Sequence, residues 1–378
     1  MKMKRRNLLL AASGAAGVTL LPFAASRAAG ARTISFGQSA SLTGGQASYG
    51  RDVQNGIAAA FAAANTSEAA TGLHFDLQTL DDGGVRSRCM KNVMQLVEGG
   101  STALIGLTSG AGAEACMPVI EDAQIAMLGT ASGNMGIRGS QVSGAFHVRA
   151  GYDAEYKRMV GYVKDFGMQR IGVVYLNDTS KANMEAMNAA LSALSIQPKV
   201  SIGIDRNATS FDGVANELLA ARLDCVLFTA NAGPVGKIID HLVRGKYAGL
   251  FYASSFAGQD LIDTLTSRKQ SCVMSMVVPR PTQMGVNVVA QCQRDLALLN
   301  NGARLGITTL EGYISGRIAV EAALAAAKAG TLNRARMKDS LAGLRSDLGG
   351  YKVEFAGTTH GSRYVDLIAI DRYGRLVG

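Results

Sequence analysis

The chain has 378 residues, enough for two domains of ordinary size or for one large domain. Hydrophobic residues make up 48% of it and charged residues 18%, which excludes disorder of the chain as a whole, and the absence of Trp argues against broad aromatic platforms for bases or sugars. The formal net charge of +9 would indicate nucleic acid or an anionic membrane as a partner, unless that charge is confined to one segment.

Residues 1–29 are predicted to be a signal peptide that is removed on secretion. The first 30 residues contain no acid and five basic residues, namely Lys2, Lys4, Arg5, Arg6 and Arg27. A basic start, an apolar run over 8–23 and small residues over 24–31 are typical of such a signal. The run is shorter than the roughly 20 residues of a membrane-spanning helix. The alternative, a buried N-terminal helix, does not account for the lack of acids before Asp52.

The signal resembles the twin-arginine type, because residues 4–9 read Lys-Arg-Arg-Asn-Leu-Leu. No cysteine precedes Cys89, so no lipid anchor is expected. Cleavage near 28–31 would remove five positive charges and lower the net charge from +9 to +4, which removes most of the argument for nucleic acid. The mature chain is therefore expected in the periplasm, without a membrane anchor.

The first part of the mature chain alternates strands with helices. Strands are predicted from short apolar runs, and helices from apolar residues at helical spacing. The predicted strands are 34–37, 75–80, 103–107 and 125–128, and the predicted helices are 49–65, 87–98 and 111–122. This βαβα order predicts a parallel sheet with helices on both faces.

The same pattern restarts after residue 170. The predicted strands are 171–176, 200–204, 224–229, 250–253 and 272–278, and the predicted helices are 180–194, 209–221 with its cap, 234–244 and 259–267. Pro279 and Pro281 then end the regular structure. Helices 286–300, 308–329 and 334–344 and strands 351–355 and 364–371 are predicted to follow. Two such series predict an α/β fold of two Rossmann-like lobes with parallel sheets.

The sequence carries no recognisable catalytic or metal site. The four histidines are scattered and share no ligand spacing with cysteines or acids, so no metal is expected. There is no P-loop and no GxSxG motif, and the turn at 110–112 lacks the third glycine and the acid of a dinucleotide site. We therefore expect no enzyme activity and no cofactor, with an exported α/β oxidoreductase as an alternative.

Hydroxyl side chains follow two neighbouring predicted strands. Ser109 comes after strand 103–107, and Ser132 comes after strand 125–128. The carboxyl ends of parallel strands form the ligand edge of an open sheet, and the N–H groups at a helix start favour a carboxylate. Each serine would either contact a ligand or cap a helix, and the residues by themselves leave both interpretations open.

The order of motifs along the chain resembles the leucine/isoleucine/valine-binding branch of type I periplasmic solute-binding proteins. The resemblance spans about 33–371 and is carried by SLTGGQASYGRDVQNGIAAA, ALIGLTSGAGAEACMPVIEDAQIAMLGTASG, HVRAGYDAEYKRMVGYV and LEGYISGRIAVEAALAAA. It implies a type I periplasmic binding protein fold with three hinge crossings, near 149–151, 278–281 and 355–360. The implied N-terminal lobe is 30–149 plus 281–356, and the implied C-terminal lobe is 150–280 plus 357–378.

The resemblance also implies which residues of the first lobe contact the ligand. Tyr49 corresponds to an aromatic residue that packs on the ligand. Ser109, with N–H groups beside it such as that of Gly110, corresponds to the hydroxyl that takes the ligand carboxylate. Ala131 and Ser132 correspond to the carbonyl and hydroxyl positions that meet the ligand ammonium and carboxylate.

The second lobe departs from the family pattern. Ser180 lies where the family commonly has Tyr-Gly, and Asn231 lies near another usual tyrosine. In the family, an acid pairs with the ligand ammonium. The corresponding position in this chain is Ser255 and Phe256, which have no carboxylate. A buried ammonium without a counter-charge is costly. Phe256 and Tyr152 would suit an apolar or aromatic carboxylate instead.

The five cysteines are Cys89, Cys116, Cys225, Cys272 and Cys292. An exported chain can oxidise pairs of them, but an odd number leaves at least one thiol free or paired between molecules, and counting assigns no partners. Cys89 and Cys116 lie close to the disulfide positions of the family, so the resemblance implies a bridge between these two.

Taken together, the sequence predicts the periplasmic substrate-binding protein of an ABC importer. It would capture a small carboxylate-bearing solute, either branched-chain amino acid-like or an aromatic or organic acid, in a cleft between the lobes. It would present the solute to membrane permease subunits and perform no reaction. A ligand-sensing receptor of the same fold is the alternative, and the sequence does not separate the two.

Overall fold

The computed structural model describes residues 31–139 and 144–378, so the predicted signal peptide lies outside the described residues. The strands are β1 (Arg32–Ala40), β2 (Leu73–Asp81), β3 (Ala103–Ile105), β4 (Ala126–Leu128), β5 (Ala145–Phe146), β6 (Ile171–Leu176), β7 (Val200–Ile204), β8 (Cys225–Thr229), β9 (Leu250–Ala253), β10 (Cys272–Met276), β11 (Arg345–Asp347), β12 (Lys352–Glu354), β13 (Asp366–Ile370) and β14 (Leu376–Val377). The helices are α1 (Ala47–Asn65), α2 (Arg86–Glu98), α3 (Gly110–Asp122), α4 (Tyr152–Asp165), α5 (Lys181–Ala193), α6 (Asp212–Ala220), α7 (Ala232–Arg244), α8 (Gly258–Ser267), α9 (Asn287–Leu296), α10 (Ile307–Lys328) and α11 (Arg334–Ala342). None of these helices is both long and apolar enough to cross a membrane.

The first lobe is built on a five-stranded parallel sheet in the order β2-β1-β3-β4-β5. Side chains alternate between its two faces along each strand. Ala103 and Ile105 of β3 join the core under α1 and α10, whereas Leu104 between them joins the core under α2 and α3. A strand buried on both faces reads as a continuous apolar run, which is why the sequence predicted β3 correctly.

The second lobe is built on a seven-stranded sheet in the order β14-β13-β10-β9-β8-β6-β7. Strands β6 to β10 pair in parallel, whereas β13 runs antiparallel to β10, and β14 antiparallel to β13. Val173 and Leu227 face α4 and α5, and Val174 and Phe228 belong to the core that includes α6, α7 and α8. Both lobes therefore bury their sheets between two layers of helices.

The chain passes between the two sheets three times: after β5, after β10 and before β13. Helices α9 and α10 pack on α1, and α11 packs on β4, so all three belong with the first lobe. The first and third passages run side by side, because His147 and His360 form a parallel bridge. The predicted fold, two α/β lobes with parallel sheets, is confirmed, while the predicted lobe boundaries stay a prediction.

The structure has β5 and α4 within residues 129–170, where the sequence predicted no element. Strand β5 pairs only two residues with β4, which is too short for a periodic signal. Helix α4 does bury residues at helical spacing, among them Tyr156, Met159 and Val163, so its signal was present in the sequence.

Candidate functional site

The candidate site lies between the lobes, where the loops after β3 and β4 face those after β6, β8 and β9. Ser109 is the N-cap of α3, and its hydroxyl accepts a hydrogen bond from the N–H of Gly112 at 3.0 Å. Gly110 lines the cleft, and a Cβ at this position would lie 2.5 Å from Oγ of Ser132. The contact between these two loops therefore requires glycine at 110.

Ser132 forms the neighbouring wall of the cleft, whereas Ala131 and Tyr49 do not line it. The Ser132 hydroxyl accepts a hydrogen bond from the N–H of Asn134 at 3.2 Å and lies 3.3 Å from the hydroxyl of Tyr152. The carbonyl of Ala131 accepts a hydrogen bond from the hydroxyl of Tyr49 at 2.8 Å. The carbonyl that the resemblance assigned to a ligand ammonium therefore already has a donor within the protein.

Three aromatic side chains from both lobes meet beside these serines. The ring of Phe256 lies 6.4 Å from that of Tyr49 and 6.4 Å from that of Tyr152, edge-on in both cases. Tyr152 also stacks on Tyr156 at 5.6 Å. Burial raises the pKa of Tyr49 and of Tyr152, so both phenols keep their protons and remain hydrogen-bond donors. Sequence reasoning named Tyr49, Tyr152 and Phe256, and the structure brings them together.

The other two predicted residues of the second lobe are placed differently. Ser180 lines the cleft, and its hydroxyl donates to Oε1 of Glu114 in the first lobe at 3.2 Å. Asn231 begins α7 but does not line this cleft, and its buried Oδ1 has no partner among the described residues. Thr229, at the end of β8, is the residue that reaches the cleft from that loop.

The cleft is closed. Its volume is about 40 Å³, which leaves room for only a few water molecules. Hydrogen bonds join its two sides: Nη1 of Arg206 donates to Oε1 of Gln46 at 3.2 Å, and the N–H of Met135 donates to Oδ1 of Asn183 at 2.7 Å. A ligand of amino acid or benzoate size can therefore enter only if the lobes separate.

A buried ion network that sequence reasoning missed lies behind the aromatic group. Arg149, at 1% exposed, contacts Glu155 of α4 through Nη2, and its Nη1 lies 3.2 Å from Oε1 of Glu311 of α10. Nη2 also donates to the hydroxyl of Ser255 at 2.6 Å, and Glu155 accepts from the N–H of Ser255 at 2.9 Å. Arg149, in the first passage between the lobes, is thus linked to α4 on one side and to α10 on the other.

This network also determines which charges a ligand would meet. Glu155 and Glu311 are both paired with Arg149, which also lies 5.7 Å above the ring of Tyr152. Asp178, which lines the cleft, pairs with Arg206 at 2.8 Å. Glu155 and Glu311 therefore share one cation, and Asp178 has another. Glu114, at the edge of the cleft, has no cation within 4.0 Å among the described residues and instead accepts hydrogen bonds from Nδ2 of Asn134 at 2.9 Å and the hydroxyl of Ser180 at 3.2 Å.

Cys89 and Cys116 lie next to each other on α2 and α3, both as buried thiols, and the disulfide between them stays a prediction. A hydrogen bond with Cys116 lowers the pKa of Cys89, while the same bond and burial raise the pKa of Cys116. The two thiols are therefore neighbours in the core between α2 and α3. The other three cysteines are buried and free as well.

Within residues 31–139 and 144–378, no three His, Cys, Asp or Glu side chains gather where they could hold a metal ion. The polar groups of the cleft are hydroxyls, amides, helix N–H groups and the Asp178–Arg206 ion pair, which suit recognition of a polar organic molecule.

Comparisons with known proteins agree with this fold. A family profile described as periplasmic binding protein matches residues 33–365. Among solved structures, a possible leucine/isoleucine/valine-binding protein from Rhodopirellula baltica SH 1 is 23% identical over 93% of this chain and 98% of its own, with a TM-score of 0.86. No curated protein matched significantly.

Two further similar structures are solute-binding proteins of ABC transporters from R. palustris. One, in complex with 4-hydroxybenzoate, is 15% identical over 92% of this chain and 95% of its own, with a TM-score of 0.76. The other, in complex with benzoate, is 12% identical over 91% of this chain and 95% of its own, with a TM-score of 0.79. At these identities the structures establish the fold, and the profile establishes the family. The predicted resemblance is confirmed: the chain belongs to the periplasmic binding protein family.

Proposed function

We propose that this chain is the periplasmic solute-binding protein of an ABC importer and that it captures a small aromatic or organic carboxylate between its lobes. The observation that carries the proposal is that the rings of Tyr152 and Phe256 line one closed cleft together with the Ser132 hydroxyl and the start of α3, while the ring of Tyr49 packs against Phe256. Both lobes contribute to this cleft, so a ligand held in it favours the closed form.

The carboxylate of the solute binds in the first lobe. The start of α3 at Gly110 presents N–H groups and the positive end of the helix dipole. The hydroxyls of Ser132 and Tyr152, 3.3 Å apart, lie at the same wall and add hydrogen bonds. Because Ser109 caps α3 with its side chain, its part in binding is to fix the helix start.

The rest of the solute carries no ammonium group. An α-amino acid would need an acid in the cleft that is free to pair with its ammonium. The carboxylates of Glu155, Glu311 and Asp178 are held by Arg149 and Arg206. Both oxygens of Glu114 already accept hydrogen bonds, from Asn134 and Ser180. The rings of Phe256 and Tyr152 instead favour an apolar or aromatic body. The benzoate and 4-hydroxybenzoate complexes of the two R. palustris proteins support the same class of solute.

Solute exchange occurs by opening and closing of the lobes, N-terminal lobe 30–149 plus 281–356 and C-terminal lobe 150–280 plus 357–378, about the three passages. The leader 1–29 directs export to the periplasm, where permease subunits take the solute from the closed form. Oxidation there links Cys89 to Cys116, whose thiols are already neighbours.

A thermal-shift screen tests the proposal. Benzoate, 4-hydroxybenzoate and short aliphatic acids are compared with leucine, isoleucine and valine at equal concentration. The best acid should raise the melting temperature in proportion to the logarithm of its excess over Kd. Phe256→Ala should abolish the shift, whereas Phe166→Ala, at an aromatic residue that is 62% exposed, should keep it. Shifts with the amino acids only, or an unchanged shift in Phe256→Ala, would contradict the proposal.

A further inference from the structure

We propose that the groove between α4 and α5 is a second binding site, separate from the interlobe cleft, for a carboxylate with an apolar chain. The groove has a volume of about 690 Å³, within the range of small-molecule sites. The two helices form its sides, and the segments around Arg138 and His360 close one end. It shares no lining residue with the cleft.

Helix α4 lies between the two sites and lines each of them with a different face. Tyr152 and Tyr156, four positions apart, line the cleft. Asp153 and Lys157, shifted by one position and again four apart, line the groove, and Gly161 continues that face one turn later. A ligand in the groove therefore contacts a face of α4 that the cleft does not use.

The sides of the groove are formed by small apolar residues. Ala154 of α4 faces four alanines of α5, which are Ala186, Ala189, Ala190 and Ala193. Two helices that present methyl groups to each other leave between them the space that larger side chains would fill. An alkyl chain in this space would be removed from water, and each CH₂ so buried contributes about 0.8 kcal/mol.

The closed end of the groove holds a buried positive charge. Arg138 is 6% exposed, and its Nη1 and Nη2 donate to the backbone carbonyls of Arg149 at 3.1 Å and Ser132 at 3.2 Å. Its Nε has no partner, and no carboxylate oxygen lies within 4.0 Å of it among the described residues. Residues 1–30 and 140–143 contain no acid that could supply one. A buried guanidinium without a counter-charge is costly, and an anion in the groove would offset that cost.

Further positive charges lie at the rim of the groove. Lys157 and Arg363 are exposed and line the groove together with Arg138, against a single lining acid, Asp153. A Cβ on Gly151 would lie 2.5 Å from Oδ1 of Asp153 and 3.1 Å from Cδ of Arg138, so Asp153 lies near the stem of the arginine. Asp153 is exposed and solvated, which limits how much of the buried charge it can offset. The groove thus combines a cationic end with an apolar body, as an amphiphilic carboxylate requires.

Binding of octanoate, followed by isothermal titration calorimetry, tests this site. Octanoate should bind the wild-type protein, while octanol and octylamine should bind at least about tenfold more weakly, because they lack the charge that Arg138 would pair with. Ala189→Leu, which fills the groove from an exposed position, should weaken octanoate at least about tenfold. Ala325→Leu, an exposed alanine of α10 outside the groove, should leave its affinity unchanged.

The charge is tested separately from the shape. Lys157→Gln should weaken octanoate several-fold, and Arg158→Gln, its exposed neighbour outside the groove, should not. Phe256→Ala, which removes the ring between the cleft tyrosines, should also leave octanoate binding intact. The inference is overturned if octanoate does not bind, if octanol binds equally well, if Ala189→Leu and Lys157→Gln are both silent, or if Phe256→Ala abolishes binding. The last result would place octanoate in the cleft, and none of the readouts depends on identifying the cleft solute.

Discussion

Arg149 and Glu311 form a buried ion pair, with Nη1 3.2 Å from Oε1, that ties the first passage between the lobes to helix α10. Burial raises the pKa of Glu311, and the charge of Arg149 opposes that rise. Glu155 holds the same guanidinium from α4. Three buried charges from three segments therefore depend on one another, and each would be costly without the others.

Removal of the arginine should strongly destabilise the fold. Arg149→Met leaves Glu155 and Glu311 buried without a counter-charge, so the free energy of unfolding should fall by about 3–5 kcal/mol in urea titrations at pH 8. The deficit should shrink at pH 5, because the two stranded carboxylates can then take up protons. Arg158→Met, at an exposed arginine, should cost little at either pH. A deficit that does not change with pH would contradict the role of charge.

A second prediction concerns Asp52 of α1, which is partly buried. Burial, together with the nearby negative charges of Asp260 and Asp263 of α8, raises the pKa of Asp52 to about 7. The folded chain therefore retains a proton that the unfolded chain, with a pKa of 3.8, releases. The stability from this proton is complete below about pH 4 and is lost as the pH rises through 7.

Asp52→Asn, which cannot ionise, should therefore gain stability over the wild type as the pH rises from 4 to 8, by about 1 kcal/mol or more. Urea unfolding at a series of pH values measures this difference. Asp122→Asn, at an exposed aspartate, is the matched control and should show no such trend. An Asp52→Asn advantage that is the same at pH 4 and pH 8 would show that Asp52 ionises normally in the fold.

A third prediction concerns Gly110. A Cβ here would lie 2.5 Å from Oγ of Ser132, so Gly110→Ala should push apart the two loops that bind the carboxylate. Ligand affinity should fall at least about tenfold by calorimetry. Gly233→Ala is the matched control, since Gly233 also lies in the first turn of a helix and a Cβ there meets nothing within 4 Å. Equal affinities of the two variants would contradict this assignment.

The hydrogen bond between Met135 and Asn183 gives a fourth prediction. It crosses the closed cleft at 2.7 Å, so Asn183→Ala removes a contact that exists only when the lobes are together. We expect the ligand to dissociate several-fold faster in stopped-flow experiments, with a smaller change in the association rate. Asn188→Ala, at an exposed position of the same helix, should leave both rates unchanged. A slower association with unchanged dissociation would be the opposite of this expectation.

The fifth prediction concerns a disulfide bond. Oxidation should link Cys89 to Cys116 and raise the free energy of unfolding by about 3–4 kcal/mol, by closing a loop in the unfolded chain. Peptide mapping should find this bridge, and a denatured sample should titrate three thiols of the five. Cys225→Ser should leave the gain intact, and Cys116→Ser should remove it. Five titratable thiols after oxidation would rule the bridge out.

Several of these features could be predicted from sequence because their signals are local. The βαβ alternation specified the parallel strands of both sheets, and helix caps such as Ser109 mark where the strands end at the ligand edge. Tyr152 and Phe256 were predicted from the resemblance to the family. That resemblance relates positions far apart in the chain to one ligand site. Strand β5 could not be predicted in this way, because two residues are too few to show the alternation of a strand.

The sequence by itself determined the class of fold, the family and the segments that reach the cleft, since each follows from periodicity or from motif order along the chain. Only the tertiary structure decided the charges of the site. Arg149 and Glu311 are 162 positions apart, and no local pattern links them. The same holds for Arg138, whose lack of a counter-charge depends on what packs around it and not on its neighbours in sequence. Burial sets the cost of a charge, and burial exists only once the lobes are folded.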